Sequence, residues 1–279
     1  MCRWAVGIAL SLMITDASAQ DVLRGTKAAG EQTGDIRKAW LSGETGRYPH
    51  FVLGGEYEAA SVFVEDAAGR RHRLDAPADA VFEDRQVRLV DLDQDGKSEV
   101  AVVISRRTSG SALALLGLRE GKLAILAESE PNGRPNRWLN PSGIGRFTGA
   151  GERQIAIVRT PHLAGVLEIY AFDGNALQRR ARLEGYSTHK LGSRHQGMFA
   201  VVPKSGGGDL LIVPVLDRRS VAVLDFNRAK PEITRIPLGG AADGMFSVER
   251  KGAGEVFVNV PLEGGRRARF AVPRAAGAQ

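Results

Sequence analysis

Covalent staples are missing from almost all of this sequence. Its one cysteine, Cys2, lies at the extreme N-terminus, so no disulfide can brace the rest of the chain and stability must come from buried apolar area. A chain of 279 residues is long enough to bury a sizeable core. Aromatic residues are scarce at 6%, and none of the five histidines pairs at the spacing of a zinc helix or finger. No apolar run reaches the about 20 residues that a membrane-spanning helix needs. Apolar residues rarely recur at three-and-four spacing over ten positions, which disfavours helices; only residues 28–41 suit a short helix or an irregular lead-in. Recognisable catalytic motifs are absent too. Ser109-Gly110-Ser111 and Asn140-Pro141-Ser142-Gly143 are turns, not a Gly-x-Ser-x-Gly elbow. The glycines of Gly143-Ile144-Gly145-Arg146-Phe147-Thr148-Gly149 precede no helix that could seat a pyrophosphate.

What is present begins with an address. Arg3, the apolar stretch 4–14 and Ala17-Ser18-Ala19 form an export signal over residues 1–19, leaving one mature domain over 20–279. A periplasmic or secreted, monomeric protein is expected, one that does not span a membrane. The formal charge is +6, carried largely by arginine pairs spread along the chain. A nucleic-acid binder more often gathers its charge in one stripe, so nucleic acid is not expected as a partner.

The middle of the chain repeats. Glu99-Val100-Ala101-Val102-Val103, Gln154-Ile155-Ala156-Ile157-Val158, Asp209-Leu210-Leu211-Ile212-Val213 and Glu255-Val256-Phe257-Val258 are spaced 55, 55 and 46 residues apart, and His50-Phe51-Val52-Leu53 reads as a looser copy 49 residues earlier. Each run is preceded by one alternating segment and followed by two more. Four short strands per unit, five times over, predicts an all-β fold: a single β-propeller, five blades of four antiparallel strands. The fifth unit lacks an evident last strand, and the segment near 22–41 is expected to supply it and close the ring.

Before the first full repeat stands Asp91-Leu92-Asp93-Gln94-Asp95-Gly96-Lys97-Ser98-Glu99, whose carboxylates and turn glycine can wrap oxygen ligands around one hard cation such as calcium. This hairpin and its strand resemble the calcium loop of FG-GAP and VCBS repeat proteins, β-propellers that include the integrin α-chain head. The resemblance implies that Asp91, Asp93, Asp95, the carbonyl of Lys97 and Glu99 ligate a structural calcium. The corresponding turns of later units, Arg146-Phe147-Thr148-Gly149-Ala150-Gly151 and Pro203-Lys204-Ser205-Gly206-Gly207-Gly208, keep the glycines and lose the acids.

Strand parity places a second set of residues on the face opposite this hairpin. Arg106, Arg107, His162, Arg218 and Arg219 share it with Tyr186, His189, Arg194 and His195 of the long polar connection 185–196. Arginine forks match carboxylate, phosphate or sulfate, and histidines would add charge below about pH 6.5. Three functional classes follow. One is a calcium-stabilised binding module for an anionic glycan or cell-envelope partner. Another is a propeller enzyme acting on a polysaccharide, lactone or phosphate ester, which would need acids or histidines converging on the mouth. The third is an assembly part of the cell envelope with no small-molecule site.

Overall fold

Runs that are apolar at nearly every position become the second strand of each sheet, because there both faces of the strand are covered. The protein is seen in a computed structural model that describes residues 22–273 apart from Gln32, Ala150, Ser205, Ala229 and Ala253; the signal segment expected over 1–19 lies outside the described residues. The strands fall into five consecutive units. The first holds β1 (Ala28–Ala29), β2 (Ile36–Thr45), β3 (Glu58–Asp66) and β4 (Arg71–Asp75), and the second β5 (Ala80–Phe82), β6 (Arg88–Val90), β7 (Glu99–Arg106), β8 (Gly110–Arg119) and β9 (Lys122–Glu128). The third has β10 (Leu139–Gly145), β11 (Gln154–Arg159), β12 (Val166–Phe172) and β13 (Leu177–Leu183), and the fourth β14 (Ala200–Pro203), β15 (Asp209–Pro214), β16 (Ser220–Asp225) and β17 (Glu232–Pro237). The fifth is three-stranded, β18 (Ser247–Lys251), β19 (Glu255–Pro261) and β20 (Arg267–Ala271). All named pairings are antiparallel, and the single helical turn among the described residues is Glu263–Gly265. The expected all-β architecture is present. Units one and two join into one nine-stranded sheet, because β5 bonds both β3 and β7.

Side chains alternate across each second strand, and so do their partners. On β7, Val100, Val102 and Ile104 pack towards the first unit, while Ala101 and Val103 pack towards the third. On β11, Ile155 and Ile157 face the second unit and Ala156 and Val158 the fourth. On β15, Leu211 and Val213 face the third unit and Leu210 and Ile212 the fifth. The core is therefore four apolar layers, one between each consecutive pair of units.

Three expectations need correction. Residues 28–41 are neither helix nor lead-in: Ala28 pairs with Ala39 as β1 meets β2. His50–Leu53 is not a strand but part of the loop between β2 and β3, so the true first repeat is β2 itself. Nor does 22–41 complete the fifth unit, since Val22 bridges Ser42 and β2 pairs with β3 inside the first. Among the described residues no apolar layer joins the fifth unit to the first. The outer faces of these two are capped by charge instead. Trp40 stacks on Phe63 at 5.6 Å under Lys27, Arg71 and Arg73, and Arg269 lies over Phe257 at 3.6 Å.

Candidate functional site

The acidic hairpin links β6 to β7, with Gln94 (φ 63°) and Gly96 (φ 85°) in the left-handed conformation that folds the loop back. Gly96 N–H donates to Asp91 Oδ2 at 3.1 Å and Asp95 N–H to Asp93 Oδ1 at 3.3 Å. One oxygen each from Asp91, Asp93 and Glu99 lies within 4.8 Å of the others. Asp91 Oδ1 is buried without a hydrogen-bond partner. Glu99 is 3% exposed and accepts the Leu92 N–H at 2.8 Å; burial, reinforced by the charges of Asp93, Asp91 and Asp95, pushes its carboxyl up to about 8. Burial also raises Asp93. An orphaned buried oxygen in an all-oxygen set, two of whose carboxyls, Asp93 and Glu99, are raised, fits a hard dication such as calcium. Asp95 stands apart from the set. Its carboxylate pairs with the Lys97 ammonium at 2.9 Å and is lowered by that bond. A cavity of about 170 Å³ beside the acids is lined by Asp35, Asp93, Glu99, Arg119 and Phe172 among others. Asp35 comes from the first unit, accepts the Ser98 N–H at 2.8 Å, and was not among the sequence candidates.

On the opposite face the structure brings some of the expected residues together and occupies others. His189 Nε2 lies 2.8 Å from the Ser193 carbonyl, which can only accept, so that nitrogen carries the proton and Nδ1 accepts from His162 Nε2 at 2.9 Å. Trp138 packs edge-on to His189 at 4.8 Å and stacks on His162 at 6.4 Å. Burial holds both histidines down to about 4, with the charge of Arg218 adding to it, so the extra positive charge expected from them below pH 6.5 does not arise. Arg106 forks onto Glu128 through two 2.7 Å bonds. Arg107 donates to the Arg47 carbonyl, Arg218 to the Ala242 carbonyl and Glu263, and Arg194 to the Gly54 carbonyl. Arg219 and His195 are exposed. Tyr186 is a core residue, 3% exposed in the layer between units three and four, rather than a surface aromatic.

Sequence reasoning missed a cluster of buried acids beneath this face. Glu83 and Asp84 occupy the break between β5 and β6, two short strands that pair with the same neighbour. Both are fully buried, as is Glu58 at the start of β3. Glu83 bonds His50 Nδ1 at 2.6 Å and Ser105 Oγ at 2.5 Å, while its carbonyl accepts from Trp138 Nε1 at 2.9 Å. Asp84 takes the N–H groups of Arg85, Gln86 and Val103 and the Arg88 guanidinium at 2.7 Å. Glu58 has only Arg85, 3.7 Å away; burial and then the charge of Glu83 push it up to about 8. The signal was there to be seen. Three consecutive charged residues, Glu83-Asp84-Arg85, directly follow the apolar run Ala80-Val81-Phe82.

No known family model and no curated protein matches the sequence. Solved structures do match. The exotype rhamnogalacturonan lyase YesX aligns at TM-score 0.50 and 18% identity, over 91% of this chain and 47% of that one. The rhamnogalacturonan lyase YesW aligns at 0.48 and 16%, over 92% and 48%. The WD40 domain of SCAP from fission yeast aligns at 0.45 and 10%, over 88% and 52%. At these identities the likeness concerns the fold. This chain is propeller-like, and it spans about half the length of the solved structures it matches.

Proposed function

We propose that this chain is an exported, calcium-clamped β-propeller of the FG-GAP and VCBS kind, with five blades, that serves as a binding module through its loop face. The observation that supports it is the convergence of Asp91, Asp93 and Glu99 around the unpartnered, buried Asp91 Oδ1. These three would hold the ion, and the ion would neutralise acids that otherwise repel one another across the turn. A ligand that binds only the folded state at about 100 times its Kd adds roughly 2.7 kcal/mol, or about 5–10 °C in Tm for a chain this size. Calcium should raise the melting temperature by that order, chelator should reverse it, and Asp93→Asn should remove most of the response. Identical melts with calcium and with chelator would end the calcium reading.

A second reading has its own observation. Glu58 and Glu83 are buried carboxylates in unlike surroundings, one pushed up to about 8 and the other holding His50 and Ser105. Two acids whose environments differ in this way are what acid–base attack on a polysaccharide requires. The fold likeness to a lyase agrees with this reading but assigns no residue. Incubation with rhamnogalacturonan, followed by assay for new chain ends, decides it. Cleavage that Glu58→Gln abolishes would replace the binding-module reading, and no cleavage by the wild type would remove the enzyme.

A further inference from the structure

Eight large apolar side chains are exposed among the described residues, and five of them share one face: Phe51, Leu163, Leu191, Leu216 and Met245, between 41% and 67% exposed. Phe51 lies in the loop from β2 to β3, and Leu163 and Leu216 in the turns β11–β12 and β15–β16. Leu191 and Met245 lie in the crossovers that lead to β14 and β18. In an antiparallel unit the turn from second to third strand and the crossover to the next unit emerge on the same side. The described turns on the opposite side, where the acidic hairpin lies, carry no such residue. Scattered exposed apolar residues are ordinary, but a set gathered on one face marks an interaction surface.

Contacts between the loops knit the five together. The N–H of Gly192, next to Leu191, donates to the carbonyl of Val52, next to Phe51, at 3.0 Å. Lys190 Nζ pairs with Asp243 at 2.9 Å, which sets Leu191 beside the segment that carries Met245. The Leu216 N–H donates to the Gly185 carbonyl at 2.8 Å, and the Gly185 N–H to the carbonyl of Gly165, in the turn of Leu163, at 3.0 Å. The Leu216 side chain closes over Gly165, where an added Cβ would meet its Cδ1 at 2.8 Å. The His162–His189 bond at 2.9 Å joins these two groups of loops.

The same loops carry cations whose charge is left over. Lys190 and Arg218 are spent on Asp243 and Glu263. The exposed Arg107, Arg194 and Arg266 give their side-chain hydrogen bonds to the carbonyls of Arg47, Gly54 and Gly239, which accept the bond and leave the charge unpaired. Arg219 is exposed in the β15–β16 turn. Apolar tips beside unpaired arginines fit an anionic partner with an apolar interior. Protein interfaces draw their anchors from Trp, Tyr and Arg with Leu under-represented, and here Trp138 and Tyr186 are buried. A lipid surface takes Leu and Phe into its headgroup boundary and draws basic groups to its anionic phosphates. We propose that the loop face docks on an anionic membrane surface, with the apolar tips among the headgroups and the arginines on the lipid phosphates. Such a chain lies on the bilayer; among the described residues no helix is long and apolar enough to cross it. The proposal rests on the binding-module reading and deepens it by naming the partner.

The test is co-sedimentation of the full chain with vesicles of phosphatidylcholine, with and without phosphatidylglycerol, at low and high salt. The wild type should sediment with the anionic vesicles, less so in high salt, and stay in solution with phosphatidylcholine alone. Leu163→Ser combined with Leu191→Ser should weaken binding about tenfold or more by removing inserted area. Arg194→Ala combined with Arg219→Ala should do the same by removing charge. Ile233→Ser, exposed on β17 away from this face, should bind as the wild type does. Melting curves accompany each protein, and a pair that unfolds early is replaced by its single variants. Equal sedimentation with both kinds of vesicle, or binding that neither pair changes, would overturn the proposal. Soluble glycerol phosphate and polygalacturonate separate it from the reading beneath it. Glycerol phosphate held as tightly as the vesicles would mean a pocket for one anion and overturn the membrane surface. Polygalacturonate retained through Arg194 and Arg219 without vesicle binding would overturn the proposal and keep the binding module. No binding to vesicles, glycerol phosphate or polygalacturonate would overturn the proposal and count against the module as well.

Discussion

Glu58 holds its proton in the folded protein because its charge has nowhere to go. Its carboxyl titrates near 4.5 when solvated and is pushed up to about 8 by burial and by Glu83. The stabilisation that comes with its neutral form is therefore complete below about pH 4.5 and is lost as pH rises to about 8. His162 and His189 work from the other side. Held down to about 4 from 6.5, they favour the fold in their neutral form, and that contribution is lost as pH falls from 6.5 towards 4. The windows overlap between about pH 4.5 and 6.5, where two histidines outweigh one acid, so their combined contribution should peak near pH 6.5. Glu58→Gln should reduce the alkaline decline, adding stability on the order of a few kcal/mol at about pH 8 and little near pH 4.5, while Glu99 keeps its own share of the decline. A variant with the wild-type pH profile throughout would show that Glu58 ionises freely in the fold. None of this was legible from composition, since burial of an acid depends on which loops close above it. By contrast, the acidic turn at Asp91–Glu99 could be located in the sequence, whereas the Lys97 ion pair that draws the Asp95 carboxylate away from Asp91, Asp93 and Glu99 could not.

At the scale of single strands, β7, β11 and β15 announced themselves because two neighbours cover them and their central residues are apolar in consequence. β2 did not. Its Ile36 and Leu41 join the first apolar layer, but Arg37 and Lys38 stand among them, since the other face of this unit has no sheet against it. A strand covered on one side reads as a mixed segment, and so a helix or a lead-in was as plausible as a strand. The same distinction fixes the cost of truncation. Ile157→Ala in β11, fully buried between units two and three, should destabilise by about 2–5 kcal/mol in a denaturant melt. Val248→Ala in β18, 40% exposed, should cost about 0.5 kcal/mol or less. Equal losses at the two positions would contradict the layered core.

Over the whole molecule, circular dichroism should report strand with almost no helix, and a helical share near one-third would refute the architecture. The repeats from β7 onward were readable from spacing; the first repeat and the finish of the ends were not, because Arg269 over Phe257 and Arg71 over Trp40 are tertiary contacts between residues with no sequence signature. Those capped ends have a consequence for time rather than shape. Where each unit leans only on its neighbours, local opening need not involve the whole chain. The fifth unit, with three strands and a single apolar layer, should exchange its amide hydrogens first and be the earliest site of proteolytic nicking. The third, held on both sides, should exchange last. The chain would then come apart in an order set by position, from the C-terminal unit inward.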